Sequence, residues 1–463
     1  MPGRVLLISA NRYETPFPVF PLGLACLDHA LRRAGHSTAW LDRLVDAQTP
    51  AEAVAAFRPD YTGISLRNVD DVLIRKQQTF HGELRSLCAE ARAAGGGTII
   101  LGGSGFSIFP REILAATGAD YGIQGEGEES LVQLLAALEG GGDPAAVPGL
   151  VYRRGAEIVI NPPRRSPAPP GPDWAAVPPR LIRHYLEQSS MLCAQTQRGC
   201  PFHCAYCTYP LIEGPACRRR DPEAVAEEWS ALEALGARYV FLVDSVFNIT
   251  PDHVGEVCEA LIRKNVRLKW GCFLRPREVT RDLMRLMARA GLAHVEFGSD
   301  SFCDEVLAAF DKRLTFADIL EASEAAAAAH VEFCHFLICG GPGETEATLQ
   351  TTFANSRRLP GGVVMAVAGV RIYPGTTLAR RVTPDTPPET LLEPRYHLAP
   401  GWDPETVLRR LEEFSRQAPN WIVGDPPAAY LHMAKRLRER GVIGPLWSYL
   451  AMMQRLAPAL RRQ

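Results

Sequence analysis

The sequence Arg198-Gly199-Cys200-Pro201-Phe202-His203-Cys204-Ala205-Tyr206-Cys207-Thr208-Tyr209-Pro210 stands near the middle of the 463-residue chain. Its three cysteines follow a C-x3-C-x2-C spacing, on a segment that glycine and proline keep out of regular structure. Three thiolates can hold three irons of a [4Fe–4S] cube and leave the fourth iron open. The alternative is three buried cysteines that lie close by chance. The aromatic residue before the last cysteine and the flanking Arg-Gly and Thr-Tyr-Pro favour the cluster.

Length and composition predict two or three domains with large apolar cores. With 50 basic and 52 acidic residues the net charge is −2, so we expect no nucleic-acid partner. No apolar run reaches the length of a membrane span, and the N-terminus lacks the basic region of a signal peptide. We therefore expect a cytoplasmic protein with reduced thiols. The nine cysteines outside the cluster stretch are scattered, and most of them are expected to be buried small hydrophobes.

The first third of the chain alternates short apolar runs with stretches of helical period. This alternation predicts an α/β domain with a doubly wound, Rossmann-like parallel sheet, which binds ligands at the carboxyl ends of its strands. The predicted strands are Val5–Ser9, Thr38–Leu41, Tyr61–Leu66, Thr98–Leu101 and Tyr121–Ile123, and the predicted helices are Gly23–Ala34, Ala51–Phe57, Thr79–Ala94 and Ser130–Leu138.

Two glycine-rich loops follow the fourth and fifth predicted strands. They are Gly102-Gly103-Ser104-Gly105 and Gly125-Glu126-Gly127-Glu128. Glycine lets the backbone approach a ligand closely, and the N–H groups at a helix start can hold phosphate. Ordinary turn chemistry is the alternative explanation for either loop alone.

The cysteine stretch resembles the radical S-adenosylmethionine (radical SAM) signature, and the resemblance extends over most of the chain. It implies that Cys200, Cys204 and Cys207 ligate the cluster and that SAM chelates the open iron. Reduction then cleaves SAM to a 5′-deoxyadenosyl radical. Two later segments, Gly340-Gly341-Pro342-Gly343-Glu344-Thr345 and Tyr373-Pro374-Gly375-Thr376, are similar to turns common in this superfamily.

The first domain resembles the cobalamin-binding domain that precedes the radical SAM domain in the B12-dependent class. The similar motifs are Pro21-Leu22-Gly23-Leu24, Leu31-Arg32-Arg33-Ala34-Gly35-His36, Gly63-Ile64-Ser65, Leu101-Gly102-Gly103 and Gly125-Glu126-Gly127-Glu128. The Asp-x-His-x-x-Gly motif that supplies a histidine to cobalt is absent, which implies cobalamin bound with its own base off the metal and no histidine in its place. The resemblance assigns cobalamin contacts to Ser65, Arg67, Asn68, Gly102, Gly103, Ser104, Gly125, Glu126 and Gly127.

Arg67 follows the third predicted strand, where the lower face of the corrin would lie. The stretch Ser65-Leu66-Arg67-Asn68-Val69-Asp70 is similar to one in several B12-dependent proteins, including the tryptophan 2-C-methyltransferase group. Our hypothesis is that Arg67 faces the lower side of cobalt and discourages axial coordination. The alternative is a surface arginine at the end of a strand.

The domain organisation follows from a change of composition between residues 145 and 185. We predict a cobalamin-binding domain over 1–145 and a radical SAM domain over 189–383, with a mainly helical region over 384–463 that covers the barrel. The connector, 146–188, contains a hairpin over 149–160 and then eight prolines between residues 162 and 179. In the last region, stretches of helical period lie at Glu405–Gln417, Ala428–Arg440 and Pro445–Leu460.

The central region again alternates strands and helices, in six units, which are too few for a full eight-unit barrel. A partial (β/α)6 barrel fits this number, as the radical SAM resemblance also implies. The predicted strands are Gln195–Gln197, Tyr239–Val243, Leu268–Phe273, His294–Phe297, Glu332–Leu337 and Val367–Ile372, and the predicted helices are Pro222–Leu235, Pro251–Lys264, Arg281–Ala290, Asp304–Phe310, Thr315–His330 and Glu344–Arg358.

Several residues at the predicted strand ends match family positions for SAM. The resemblance places Tyr206 against the adenine, and Asp244 or Ser245 near the SAM amino group or the substrate. Asp300 stands where the family has glutamate, and Arg275 is a candidate partner of the SAM carboxylate. No catalytic acid, base or hydrogen donor is assigned. Cys272, Cys334 and Cys339 are candidate thiol donors or core residues, and Glu296 and His335 either face the barrel interior or are satisfied core groups.

The leading functional prediction is an enzyme that moves a SAM-derived methyl group through methylcobalamin to an unactivated carbon or phosphorus. Its substrate is a small molecule or a peptide, and its electrons come from a flavodoxin- or ferredoxin-type donor. A non-methylating rearrangement or cyclisation uses the same parts. Methylthiolation needs a second cluster on three cysteines of the first domain, where only Cys26 and Cys88 occur.

Overall fold

The computed structural model describes residues 2–14, 18–165, 167, 170–424 and 428–449. Two seven-stranded sheets organise these residues, one in the N-terminal part and one in the centre. Each predicted strand of the first domain is present within two residues of its predicted bounds.

The first sheet has the strand order β2-β1-β3-β4-β5-β6-β7, in which the first five strands are parallel and the last two form an antiparallel hairpin. The order reverses between β1 and β3, and open α/β sheets bind ligands at such a point. The strands are β1 Arg4–Ser9, β2 Ser37–Asp42, β3 Tyr61–Ser65, β4 Thr98–Gly102, β5 Tyr121–Ile123, β6 Leu150–Arg154 and β7 Glu157–Ile160.

Six helices cover this sheet: α1 Leu22–Arg33, α2 Pro50–Phe57, α3 Leu84–Ala93, α4 Ser104–Ile108, α5 Pro110–Thr117 and α6 Glu128–Gly140. Local signals explain some of their ends. A capping box between Thr49 and Glu52 starts α2, with Pro50 at its first position. The predicted helix Thr79–Ala94 begins later, at Leu84, because residues 70 and 79 form a β-bridge instead.

The connector differs from its prediction in two respects. The hairpin β6–β7 pairs with β5 and so extends the first sheet. A helix that the proline content did not predict, α7 Pro179–Ser189, follows with prolines confined to its start, where a missing N–H costs nothing. Trp174 and Tyr185 attach the connector to both domains: the Trp174 indole donates to Glu228, and the Tyr185 hydroxyl donates to Asp42 at 2.8 Å.

The second sheet is entirely parallel, in the order β18-β15-β14-β13-β12-β11-β8. Its strands are β8 Met191–Ala194, β11 Tyr239–Leu242, β12 Lys269–Leu274, β13 Leu292–Asp300, β14 Glu332–Cys339, β15 Val363–Ala368 and β18 Trp421–Val423; the short strands between them are β9 Gln197–Arg198, β10 Arg218–Arg219, β16 Val370–Arg371 and β17 Tyr396–His397. The helices of this part are α8 Tyr209–Ile212, α9 Pro222–Ala234, α10 Pro251–Arg263, α11 Arg281–Arg289, α12 Asp304–Ala309, α13 Phe316–Ala328, α14 Glu346–Ser356, α15 Thr377–Val382, α16 Pro404–Ser415 and α17 Ala428–Glu439.

Two barrel strands were predicted in the wrong place. The first lies at β8, and the predicted residues 195–197 instead lead into β9, which pairs with β10. The sixth is β15, because Gly369, at φ +74°, interrupts the apolar run that was interpreted as one strand over 367–372. The seventh strand, β18, comes from the C-terminal region and was not predicted. The predicted helix Pro445–Leu460 lies outside the described residues from residue 450 onward.

Candidate active site

The cysteine loop is held at both ends. β9 and β10 form its base, and the Cys200 N–H donates to the Gly214 carbonyl at 3.0 Å. Gly199, at φ +89°, has no room for a side chain, because an added Cβ would lie 2.1 Å from the Ala216 carbonyl oxygen. The Ala205 N–H donates to the carbonyl of Phe310, which joins the loop to the end of α12. The glycine between Arg198 and Cys200 is thus explained, because only glycine adopts this backbone conformation without strain.

The three predicted cluster ligands are free thiols that lie close enough to influence one another. Burial, together with the neighbouring thiols of Cys204 and Cys200, raises the pKa of Cys207 to about 12. Burial also raises the pKa of Cys200 and Cys204, while the ammonium of Lys312 acts in the opposite direction. A buried thiol with a raised pKa is inert until a metal displaces its proton, since the thiolate is the ligand form.

No group of three or more His, Cys, Asp or Glu side chains within the described residues is arranged to hold a single metal ion. A cube makes a different demand, because each of its three thiolates binds a separate iron. Three thiols on one short loop, with Cys200 buried and Cys204 and Cys207 partly exposed, fit that demand.

Tyr206 and Asp300 are brought together beside this loop. The Tyr206 hydroxyl donates to the Asp300 carboxylate at 2.7 Å, and the same carboxylate pairs with the Lys312 ammonium at 3.0 Å. Burial alone would lower the pKa of Lys312, but Asp300 and the thiols of Cys204 and Cys207 together outweigh it, so that pKa is raised. Lys312 was not predicted. Its contact with Asp300 could not be found from a motif, since it lies on the turn after α12.

Asp244 is occupied by the protein itself. Its carboxylate accepts hydrogen bonds from the N–H and the hydroxyl of Thr196 and from the N–H of Gln197, and the residue is 1 % exposed. Burial raises its pKa to about 7. This geometry supports the base of the cysteine loop. The neighbouring Ser245 is partly exposed and donates to the Gly199 carbonyl at 3.3 Å, so it lies at the cluster site.

Arg275 lies at the same end of the barrel, with its guanidinium 4.5 Å from the centre of the Phe202 ring. It donates to the backbone carbonyls of Lys312 and Arg313. Burial lowers its pKa. The residue therefore ties the cysteine loop to the turn that carries Lys312, and its predicted pairing with the SAM carboxylate stays a prediction.

A single cavity gathers all nine residues that were assigned to cobalamin, at the carboxyl ends of β1, β3, β4 and β5. Its opposite wall is formed by the second domain and includes Arg198, Tyr209 and Glu213 of the cysteine loop. The cavity thus lies between the residues predicted to bind cobalamin and the ends of the cysteine loop, at the switch point of the first sheet.

The glycine loop after β4 is shaped for close approach. Gly103 has φ +97°, and a Cβ there would lie 2.4 Å from the Leu66 carbonyl oxygen. The Ser104 hydroxyl donates to the carbonyl of Arg67 at 2.7 Å. The two strand-end loops are therefore locked together, and the backbone around Gly103 lines the cavity without an intervening side chain.

Arg67 lines this cavity without a carboxylate partner among the described residues. Its Nε–H is buried and donates to no hydrogen-bond partner there. Burial lowers the pKa of its guanidinium. The electrostatic interactions that act in the opposite direction come from Cys193, Tyr185 and Tyr209. A buried cation without an anion is costly unless a ligand covers it, so Arg67 fits the cobalamin cavity better than the alternative of a surface residue.

The loop after β5 binds the cysteine loop directly. Arg198 donates to the Glu128 carboxylate at 2.7 Å, and Arg218 donates to both oxygens of Glu126. Burial would raise the pKa of Glu128, but Arg198 outweighs it and lowers that pKa. We call these four residues the arginine clamp. Glu126 lines the cavity as well as binding Arg218 at the domain interface, and its contact with cobalamin stays a prediction.

A second interface contact fixes the loop that carries Arg67. The Asp70 carboxylate accepts from Arg371 Nε at 2.8 Å and from the Tyr373 hydroxyl at 3.2 Å. The ion-paired side chains of Asp70 and Arg371 are 0 % and 4 % exposed. Neither residue was assigned a role from the sequence, because their 301-residue separation leaves no local pattern to detect.

Comparison with known families agrees with this two-domain site. Residues 195–354 match the model of the radical SAM superfamily, and residues 8–135 match that of the B12 binding domain. The chain belongs to the radical SAM superfamily and carries a B12-binding domain in front of its radical SAM domain. It is accordingly a member of the B12-dependent class of radical SAM enzymes.

Individual relatives match most of this chain. Tryptophan 2-C-methyltransferase from Streptomyces laurentii is 26 % identical over 450 residues, which cover 82 % of this chain and 74 % of that protein. Anaerobic magnesium-protoporphyrin IX monomethyl ester cyclase from Cereibacter sphaeroides is 27 % identical, over 72 % of this chain and 55 % of that one. The structure of the methyltransferase TsrM from Kitasatospora setae, with cobalamin and a [4Fe–4S] cluster bound, superposes with a TM-score of 0.86 at 22 % identity and covers both chains completely.

No helix within the described residues is long and apolar enough to span a membrane.

Proposed function

We propose that this protein is a cobalamin-dependent radical SAM methyltransferase. It moves a methyl group from SAM to an unactivated carbon or phosphorus of a small molecule. The observation that carries the proposal is the shared cavity, in which the predicted cobalamin residues and the cysteine loop face each other. The tryptophan 2-C-methyltransferase relative supports it.

The residues divide the work between the two cofactors. When bound, the cluster and SAM supply a carbon radical, and cobalamin supplies a transferable methyl group. Cys200, Cys204 and Cys207 hold the cluster, while Tyr206 and Ser245 lie where SAM would be oriented. The glycine loops around Gly103 and Gly125 would hold cobalamin, and Arg67 would place its cation in the same cavity.

The electron that the chemistry requires comes from an external donor of flavodoxin or ferredoxin type, and the protein acts in the cytoplasm. A net charge of −2 supports the expectation that no nucleic acid takes part. The predicted contacts with SAM also include Asp244, Arg275 and Asp300, and each of these side chains is bonded within the protein.

A second candidate is a cyclisation without methyl transfer, which the cyclase relative favours. Methylthiolation is not supported, since Cys26 and Cys88 are the only cysteines of the first domain and both are buried. Burial raises the pKa of each to about 12, which is typical of inert core thiols.

The test is anaerobic purification with hydroxocobalamin, followed by iron, sulfide and cobalt analysis and incubation with methyl-labelled SAM. We expect about four irons and one cobalt per chain, and label on the protein-bound cobalamin. Cys204→Ala should lose the iron, whereas Cys272→Ala, a buried cysteine on the convex side of the sheet, should keep it.

Absence of cobalt from the purified protein would overturn the cobalamin half of the proposal. Cobalt that takes up no label, together with SAM cleavage, would favour the cyclisation. Arg67→Ala tests the lower-face assignment separately: we expect a changed visible spectrum of bound cobalamin, and an unchanged spectrum, affinity and turnover would contradict it.

A further inference from the structure

The concave face of the second sheet presents partly exposed apolar side chains, whereas its convex face is buried under helices. Successive strand residues point to opposite faces, so this difference identifies open space on the concave side. The partly exposed concave residues include Phe241, Phe273, Phe336, Ile338, Met365 and Val367. Their neighbours, such as Leu242, Cys272 and Leu337, are buried.

Two of these residues form an aromatic wall. The rings of Phe241 and Phe273 lie 5.0 Å apart at 76°, edge to face, and both keep exposed surface. Gly298 faces the same space, and a Cβ there would find only the Lys312 ammonium, 3.9 Å away. A flat ring can therefore lie against the phenylalanines beneath Lys312, and aromatic pairs of this kind add to the gain from area burial.

Glu296 provides a polar group below the aromatic wall. It is in register with Phe273 on one side and Cys334 on the other. One carboxylate oxygen accepts the Trp447 indole N–H at 2.9 Å. The other oxygen, Oε2, has no hydrogen-bond partner among the described residues, and it keeps some exposed surface. The residue is 8 % exposed, so this oxygen reaches the open space.

Strand β13 carries a residue at each end of this open space. Asp300, beside the cysteine loop, lies four residues beyond Glu296 on β13. At about 3.3 Å per residue this is a rise of about 13 Å. The C-terminal segment that contains Trp447 closes the end near Glu296, where Trp447 also contacts His294. A group of two fused rings that is hydrogen-bonded to Glu296 therefore fits within this space and extends toward the cluster end.

We propose that this concave face binds an aromatic or heteroaromatic substrate whose O–H or N–H group donates a hydrogen bond to Glu296. The ring lies against Phe241 and Phe273, and the reacting atom points toward the cysteine loop. The proposal rests on the proposed function, since it takes the space between Glu296 and the cluster as the place of reaction. It adds the chemical class of the substrate.

The experiment compares two probes, 2-naphthol and 2-methoxynaphthalene, which differ in the O–H group. Binding is measured by fluorescence on the anaerobically reconstituted protein at pH 8, without SAM. We expect 2-naphthol to bind about tenfold more tightly, as a hydrogen bond to a charged acceptor provides. Glu296→Gln keeps an oxygen for Trp447 and turns its NH2 toward the space, so it should abolish the preference. Phe273→Leu should weaken both probes alike.

The matched control is Glu321→Gln, an exposed carboxylate on α13 away from this face, which should leave the preference unchanged. The proposal is overturned if Glu296→Gln retains the preference, if Phe273→Leu binds both probes as the parent does, or if neither probe binds at millimolar concentration. Because these measurements need neither SAM cleavage nor methyl transfer, their failure is distinguishable from a failure of the proposed function.

Discussion

Lys312 and Asp300 form an ion pair that is almost fully buried beside the cysteine loop, with side chains 8 % and 5 % exposed. Removing one partner of such a pair leaves a buried charge uncompensated and costs about 3–5 kcal/mol. We therefore expect Lys312→Met to lower the thermal unfolding midpoint by several degrees. Lys264→Met, which removes a surface pair with Glu227, should change it little.

The double variant Lys312→Met with Asp300→Asn should recover part of the lost stability, because it removes both charges. Equal destabilisation by the single and double variants would show that the pair does not compensate as described.

The contribution of Glu296 to the stability of the folded protein depends on pH, and the sign of this dependence is defined. Burial raises the pKa of Glu296 from 4.5 in the unfolded chain to about 7 in the folded protein. The folded state thus holds the proton more tightly, and the stability from this residue is full below pH 4.5 and lost as the pH rises through about 7.

Glu296→Gln removes this titration, so the variant should gain stability relative to the parent as the pH rises from 5 to 8.5. The gain is on the order of 3 kcal/mol at most, from about 1.4 kcal/mol per pKa unit. Thermal unfolding midpoints at both pH values measure it. A constant difference between the two proteins would contradict the raised pKa of this carboxyl.

At the scale of elements, the segment from Leu66 to Phe80 connects the cobalamin cavity to the second domain through three ion pairs. Asp70 with Arg371 is buried, whereas Arg75 with Glu405 and Glu412 is exposed. Buried pairs that lose one partner cost several kcal/mol, and exposed pairs contribute roughly 0–1 kcal/mol.

We expect Asp70→Asn to release this segment, with faster proteolysis between residues 66 and 80 and weaker cobalamin binding. Arg75→Ala, on the same segment, should show neither effect. Limited proteolysis and cobalamin titration measure the two. Equal behaviour of both variants would mean that burial does not decide which contact holds the segment.

The accuracy of the sequence predictions followed from how local each signal was. Strands such as β1 and β5 were predicted because an apolar run bounded by turn residues carries its own evidence. The three residues Trp421–Val423 of β18 lack such evidence, and only pairing with β15 makes them a strand. For the same reason the glycine loops were found, while Lys312 and Arg371 were not: their partners are distant in sequence.

In the whole molecule, the C-terminal region completes the second domain. α16 and β18 bury the outer side of β15, with Phe353 and Phe414 stacked at 4.1 Å and Trp421 against both. The following segment places Trp447 on Glu296. Because α16 and β18 form one layer and the segment around Trp447 forms another, we expect different results from two truncations.

A chain that ends at Gly424 keeps α16 and β18, so it should remain folded with a lower unfolding midpoint. A chain that ends at Pro400 exposes the apolar surface around Phe353 and should aggregate, since large exposed apolar patches associate. Soluble expression and the thermal midpoint test both. A soluble, cluster-binding chain ending at Pro400 would show that the last region is dispensable.

The arginine clamp has a consequence for protein engineering. Because Glu126 and Glu128 belong to one domain and Arg218 and Arg198 to the other, a chimera that exchanges only the cobalamin-binding domain separates four matched charges. A donor domain without carboxylates at these two positions would leave the two guanidinium groups of the second domain facing the junction without their carboxylate partners. Exchange of domains among relatives should therefore succeed only when residues 125–128 and 198–218 are transplanted as one unit.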